Sequence, residues 1–195
     1  GLLAQLGMDL IDLGTIGDDA RTTRDALTQA ASQADVVITS GGVSVGEEDY
    51  VKSSVAALGA LDVWKLAIKP GKPLAFGHVA NTPFFGLPGN PVSAMVTFYQ
   101  IVQNALKFRM GSKIDNPIPL LKVECTESIF KKPGRTEFQR GILFESNGVW
   151  KVKTTGKQGS GILSSMSKAN CFIVISADKG EIKPGEIVNI QLILH

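Results

Sequence analysis

Three short runs of this chain hold residue types at spacings suited to binding anions or phosphate-bearing ligands. Ser40-Gly41-Gly42-Val43-Ser44-Val45-Gly46-Glu47-Glu48-Asp49 follows a short apolar run and leads into a helical pattern. Glycines there let backbone N–H groups close around a phosphate, Ser44 adds a hydroxyl, and the helix start adds partial positive charge. The run lacks the Gly-Lys-Ser/Thr of a Walker loop and the G-x-G-x-x-G of a dinucleotide fold. The competing interpretation is a glycine turn with Asp49 as helix N-cap. Lys69-Pro70-Gly71-Lys72-Pro73 sets two ammonium groups three residues apart on a turn stiffened by two prolines. Fixed cations read as an anion clamp, against the alternative of a solvated turn. Lys65 lies four residues before Lys69 in an apolar run, and if that strand is buried its charge needs an anionic partner. Phe85-Gly86-Leu87-Pro88-Gly89-Asn90-Pro91-Val92-Ser93 compresses a strand, a tight turn and a helix start into one stretch. Asp18 and Asp19 stand before a further helix, where a ribose or a metal ion would be met; capping of that helix is the equal alternative.

Periodicity locates the elements that must position these residues. Residues 1–7 read as the end of a helix and 8–13 as a strand. A helical stripe covers 22–33, a buried strand 35–39, and a second helix 50–58. Strands are expected at 61–68, 73–79 and 84–87, then a long helix from 91 to about 110, opened by Asn90 and Pro91 and closed by Gly111. This alternation predicts an α/β region with a mostly parallel sheet flanked by helices. Beyond Gly111 the pattern becomes short strands, at 120–126, 135–145, 149–154, 171–176 and 187–194, with Ser146-Asn147-Gly148 as a hairpin turn. That is a small all-β barrel. The expected domains are therefore 1–111 and 118–195.

Composition narrows the classes. Of 195 residues, 44% are hydrophobic and 19% charged, and the net charge is +2, which describes a globular chain rather than a disordered one. No apolar run reaches the roughly 18–20 residues of a membrane span. Cys125 and Cys171 sit in strand patterns without ligand-spaced neighbours, so they read as reduced core thiols of a cytoplasmic protein. Residues 1–111 hold 8 Lys/Arg against 10 Asp/Glu, and residues 112–195 hold 12 against 8. The basic half has only Lys131, Lys132 and Arg135 as a close group, too sparse for nucleic acid and better suited to a small anion.

The glycine run, the Lys69–Lys72 turn, Gly86-Leu87-Pro88-Gly89-Asn90-Pro91-Val92-Ser93 and Pro133-Gly134-Arg135, in this order and spacing, resemble the molybdopterin molybdotransferase family, which includes the gephyrin E domain. The resemblance implies a molybdopterin-binding α/β domain followed by a β-barrel domain. It further implies an enzyme of molybdenum cofactor biosynthesis that takes adenylylated molybdopterin and molybdate, inserts molybdenum and releases AMP, with Mg²⁺ as divalent ion. Carried over by position, catalytic roles fall on Asp18, Asp49, Lys65 and Lys69, with Asp49 as metal ligand. Binding roles fall on Gly41, Gly42, Ser44, Lys72, Pro88, Pro91, Arg135 and Ser160, with Arg140 the alternative to Arg135. A homodimer is expected, with the molybdopterin adenylyltransferase as a candidate partner. The family's Thr-Gly-Asp/Glu segment and its first strand lie upstream of residue 1, so these residues alone are expected to be inactive. The alternatives are a molybdopterin adenylyltransferase and a gephyrin-like binding scaffold.

Overall fold

The computed structural model describes residues 1–42, 50–113 and 118–193. Its elements are α1 (Leu2–Gln5), α2 (Ala20–Gln33), β1 (Val37–Ser40), α3 (Tyr50–Leu58), β2 (Gly59–Lys65), β3 (Ile68–Lys69), β4 (Pro73–Val79) and β5 (Thr82–Leu87). Then come α4 (Pro91–Thr97), a π-helical turn (Phe98–Val102), α5 (Gln103–Arg109), β6 (Leu121–Cys125), β7 (Ile129–Phe130), β8 (Thr136–Ser146) and β9 (Val149–Thr154). The last are α6 (Ser164–Lys168), β10 (Cys171–Ile175), β11 (Glu181–Ile182) and β12 (Ile187–Leu192). Two compact units form. One is Gly1–Leu66 with Pro73–Gly89, and the other is Ala67–Lys72 with the described residues from Asn90 onward.

In the first unit four strands lie in the order β1-β5-β4-β2. β1 runs parallel to β5, from Val37 beside Phe84 to Ser40 beside Leu87, whereas β4 is antiparallel to both β5 and β2. The sheet is thus mixed, not mostly parallel as the alternation of elements suggests. The cause is local: Ala80-Asn81, with Ala80 at φ 50°, returns β5 beside β4 as a hairpin. α2 and α3 cover the sheet through Leu27 and Val55, which pack with Val37, Ala75, Val79 and Phe84. Residues 8–17 adopt neither helix nor strand, so the strand expected at 8–13 is absent. Apolar alternation makes a strand only where a neighbouring backbone pairs with it, and β1 pairs only with β5 among the described residues.

The second unit contains a closed barrel, β10-β12-β6-β9-β8, sealed by pairing of β8 with β10. Its core is aliphatic, with Val123, Val152, Ile173, Ile175 and Ile190 around the buried thiols of Cys125 and Cys171. Burial pushes the Cys171 thiol up to about 12 and raises that of Cys125 as well. Gly141 lies where β8 passes between β10 and β9; a Cβ there would come within 2.8 Å of Ile173 and 2.9 Å of Cys171. Asn147 and Gly148 take φ of 53° and 77°, the left-handed pair that a two-residue hairpin requires. Tyr99, on the π-helical turn, meets Phe172 of β10 edge-on at 5.6 Å. The helical stretch from Pro91 and residues 67–72 thereby belong to this compact unit, a division distinct from the 1–111 and 118–195 regions.

Candidate functional site

Parallel strands bring like ends to one edge, and this is what assembles the first candidate site. Gly41, just past the end of β1, takes φ 95° and donates its N–H to the Leu87 carbonyl at the end of β5, 3.0 Å away. A Cβ placed on Gly89 would lie 3.5 Å from the Gly41 Cα, ordinary contact distance. The two glycine loops therefore run side by side, with Pro88 buried between strand end and turn. Gly41 and Gly42 also line a cleft of about 760 Å³ whose walls include Asp12, Asp18, Leu27 and Tyr50. Asp18, Gly41 and Gly42 are thus brought together as the sequence suggests. Ser44 and Asp49 lie outside the described residues.

Asp18 and Asp19 have separate jobs. Asp19 is the N-cap of α2: its carboxylate accepts from the N–H groups of Arg21 and Thr22 at 3.0 and 2.9 Å, and from the Thr22 hydroxyl. Those bonds, the Thr22 hydroxyl's foremost, hold its carboxyl below the ordinary value. The capping interpretation therefore describes Asp19, and Asp18 faces the cleft.

A second cluster is built within the barrel unit. β3 runs parallel to β8 with Lys69 opposite Glu137, and the Lys69 ammonium meets Glu137 Oε1 at 3.0 Å. Gln139 Nε2 donates to Glu137 Oε2, also at 3.0 Å. Lys69 is half-exposed and Glu137 is 5% exposed, so Lys69 is a cation held by a buried carboxylate while still reaching solvent. Pro70 and Gly71 are buried beneath it. At Gly71, φ is 102° and a Cβ would stand 2.5 Å from Thr97 Oγ1 and 3.3 Å from the Ser93 carbonyl, so only glycine lets this turn rest on α4. Lys72 is exposed. Asn90 caps α4, accepting from the Ser93 N–H at 3.4 Å, and Pro91 is its exposed first residue.

Of the two arginines, Arg140 holds the Gln158-Gly159-Ser160 loop and Arg135 does not. Arg140 is 1% exposed. Its Nε donates to Ser165 Oγ at 3.0 Å and its Nη2 to the Gly159 carbonyl at 3.2 Å. Its backbone exchanges bonds of 2.8 and 3.1 Å with the Gln158 amide. Burial lowers the guanidinium pKa from its ordinary value, and the Glu137 carboxylate opposes that shift. Arg135 is exposed ahead of β8, and Ser160 is exposed on its loop. Lys131 is spent elsewhere, donating to the carbonyls of Ser176, Ala177 and Lys179 at 3.0, 3.4 and 2.8 Å. Lys65 lies exposed on β2, so burial does not oblige it to find an anionic partner. The residues that sequence reasoning misses are Glu137 and Gln139. Their signal is present, since two polar residues at period two point to the same side of the strand expected at 135–145.

Comparison with known proteins agrees with this architecture. A family model described as "Probable molybdopterin binding domain" matches residues 1–107, and one described as "MoeA C-terminal region (domain IV)" matches residues 122–193. A molybdopterin molybdenumtransferase of Haemophilus influenzae is 45% identical over the whole chain, which spans 48% of that protein. The molybdenum cofactor synthesis protein cinnamon of Drosophila melanogaster is 34% identical over 95% of the chain and 32% of its own length. The chain spans about half or less of the length of these curated relatives. The crystal structure of a molybdopterin biosynthesis MoeA protein from Pyrococcus horikoshii superposes with a TM-score of 0.78 at 28% identity, covering 97% of this chain and 45% of that one. With the first family model spanning more than half of its residues, the chain belongs to the molybdopterin-binding family that these proteins share.

Proposed function

We propose that the chain supplies the molybdopterin-binding and barrel regions, 1–111 and 118–195, of a molybdopterin molybdenumtransferase. Such an enzyme takes adenylylated molybdopterin and molybdate, inserts molybdenum into the dithiolene and releases AMP. The observation that carries this reading is the pair of glycine loops at the shared end of β1 and β5, beside a cleft large enough for a small-molecule ligand. The Gly41 N–H is already donated to Leu87, so the backbone amide that suits a phosphate here is that of Gly42, and the apolar walls suit a flat ring system. Among the described residues no three Asp, Glu, His or Cys side chains gather as a metal site. Mg²⁺ needs fewer when phosphate oxygens complete its shell, and Asp12 and Asp18 supply the right donor class in the cleft. Asp49 is assigned as a further ligand. The ion would neutralise charge on the phosphate when bound.

Molybdate, a dianion, is assigned to the cationic cluster of Lys69 and Lys72. Arg140, in preference to Arg135, anchors the loop that offers Ser160. Lys65 is kept as a catalytic candidate, with Pro88 and Pro91 shaping their turn. The protein is expected to act in the cytoplasm as a homodimer, next to an adenylyltransferase that supplies its substrate. The test is AMP release from adenylylated molybdopterin by the full-length protein with molybdate present. Release should fall at least about tenfold in Asp18→Asn, the loss of a little over 1 kcal/mol of transition-state stabilisation. Net AMP loading would establish the adenylyltransferase alternative, and absence of either reaction in a folded protein would leave the scaffold.

A further inference from the structure

We infer that Glu137 is a positioning residue that tempers affinity: it holds Lys69 in place and weakens the oxyanion site of Lys69 and Lys72 toward dianions, molybdate and sulfate alike, so that they are not tightly retained. The inference rests on the reading of Lys69 and Lys72 as an oxyanion site. Backbone register, not chance, makes the pair: β3 and β8 set Lys69 against Glu137, and the contact is 3.0 Å. The carboxylate is fixed from its other side by Gln139, which is 6% exposed, so Glu137 cannot swing away without stranding a buried amide. An ammonium has three N–H donors, and one is committed to Glu137. The remaining two can meet an oxyanion, but they do so with a negative charge held beside them. The Glu137 carboxylate also favours the charged form of Arg140 through space, against the burial that disfavours it.

Sulfate and phosphate offer the same tetrahedral oxygens as molybdate. A cluster of bare cations would bind all three tightly. A carboxylate has no proton to donate, so each added negative charge on the ligand is penalised by Coulomb repulsion at short range. Tight retention is avoided while Lys69 stays oriented. Glu137→Gln keeps the volume and an acceptor for Lys69 and removes the charge.

The experiment is calorimetric titration of molybdate and of sulfate into the full-length protein, as wild type, Glu137→Gln, Glu137→Asp, Lys69→Ala and Lys72→Ala. Glu137→Gln should bind both anions tighter by on the order of tenfold, the size expected for removing one nearby charge. Glu137→Asp, which keeps the charge, should gain nothing. A merely structural Glu137 would give weaker binding in both variants, and that result, or unchanged binding in Glu137→Gln, overturns the inference while leaving the oxyanion site standing. Should Glu137→Gln not fold, the lysine variants decide. Lys69→Ala leaves Glu137 uncompensated and should lose several-fold more affinity than Lys72→Ala; equal losses overturn the inference. Binding of neither anion by any folded variant would remove the oxyanion reading itself and the inference with it.

Discussion

On the proposed function, the two units would meet anionic ligands by opposite means. Among the described residues no Lys or Arg lines the cleft of the sheet unit; its lining offers backbone amides, hydroxyl side chains such as Thr15, Ser40 and Tyr50, and the carboxylates of Asp12 and Asp18. In the barrel unit the polar groups are buried side chains, two of them charged: Glu137, Gln139 and Arg140 are exposed by 6% or less and bonded to one another or to the Gln158–Gly159 loop. A wall of amides and apolar side chains suits a ring system whose phosphate arrives already neutralised. On that function the exposed Lys69 and Lys72 would meet a small oxyanion, and the buried Glu137–Gln139 pair would keep Lys69 oriented, because it cannot relax without breaking hydrogen bonds. Backbone sites are written by glycine spacing, and charge sites by strand register.

The sharpest way to break this contrast is at Gly71, where the barrel unit's cation-bearing turn depends on a missing side chain. Gly71→Ala should destabilise by about 2–4 kcal/mol, from positive φ together with the clash at Thr97 Oγ1. Gly134 has a comparable φ of 109°, but a Cβ there would meet nothing within 4 Å. Gly134→Ala should therefore cost only about 1 kcal/mol. Urea unfolding of both variants measures the difference. Equal costs would show that the turn does not rest on α4.

Next in size is the division of labour between the arginines. Arg140→Ala should cost about 3 kcal/mol, since it removes the buried hydrogen bonds to Ser165 Oγ and the Gly159 carbonyl, leaving each only its partner in Ile162, and empties a buried site. Arg135→Ala, on an exposed residue, should stay within about 0.5 kcal/mol. Limited proteolysis should cut the 156–161 loop faster in the first variant only. Similar behaviour of the two would return Arg135 to consideration.

How far the sequence leads differs between the same two regions. The helix 50–58 and the strands 73–79 and 149–154 are legible with their observed bounds, because each is closed by glycine, proline or the Asn147-Gly148 turn. The glycine loops are legible for the same reason. The strand expected at 8–13 is not formed, since Leu10 and Ile11 lie among polar neighbours but nothing described pairs with them. The Lys69–Glu137 pair spans 68 positions and exists only through the parallel register of two strands. Local pattern carries no such information. For Lys65 the sequence leaves burial open, because apolar neighbours do not by themselves imply it: Val63 and Trp64 are 45% and 48% exposed on an edge strand.

The smallest effect expected concerns Asp19, and it tests whether the acidic pair really divides into a cap and a cleft residue. Asn is as good an N-cap as Asp, so Asp19→Asn keeps the hydrogen bonds to Arg21 and Thr22 and deletes only the charge. The folded carboxyl titrates below the ordinary 3.8, so between the two values the unfolded chain binds the proton more readily than the folded one. The charge then contributes stability that is fully present above the unfolded value and is lost as pH falls through the folded one. Thermal unfolding from about pH 6 down to about pH 2.5 should therefore show wild type more stable than Asp19→Asn at the upper end. The two curves should converge below the ordinary carboxylate value. Asp18→Asn, measured at neutral pH, should match wild type in stability because its side chain makes no capping bond. A constant gap for Asp19→Asn across the whole range would mean that its charge is not what the α2 N-terminus uses.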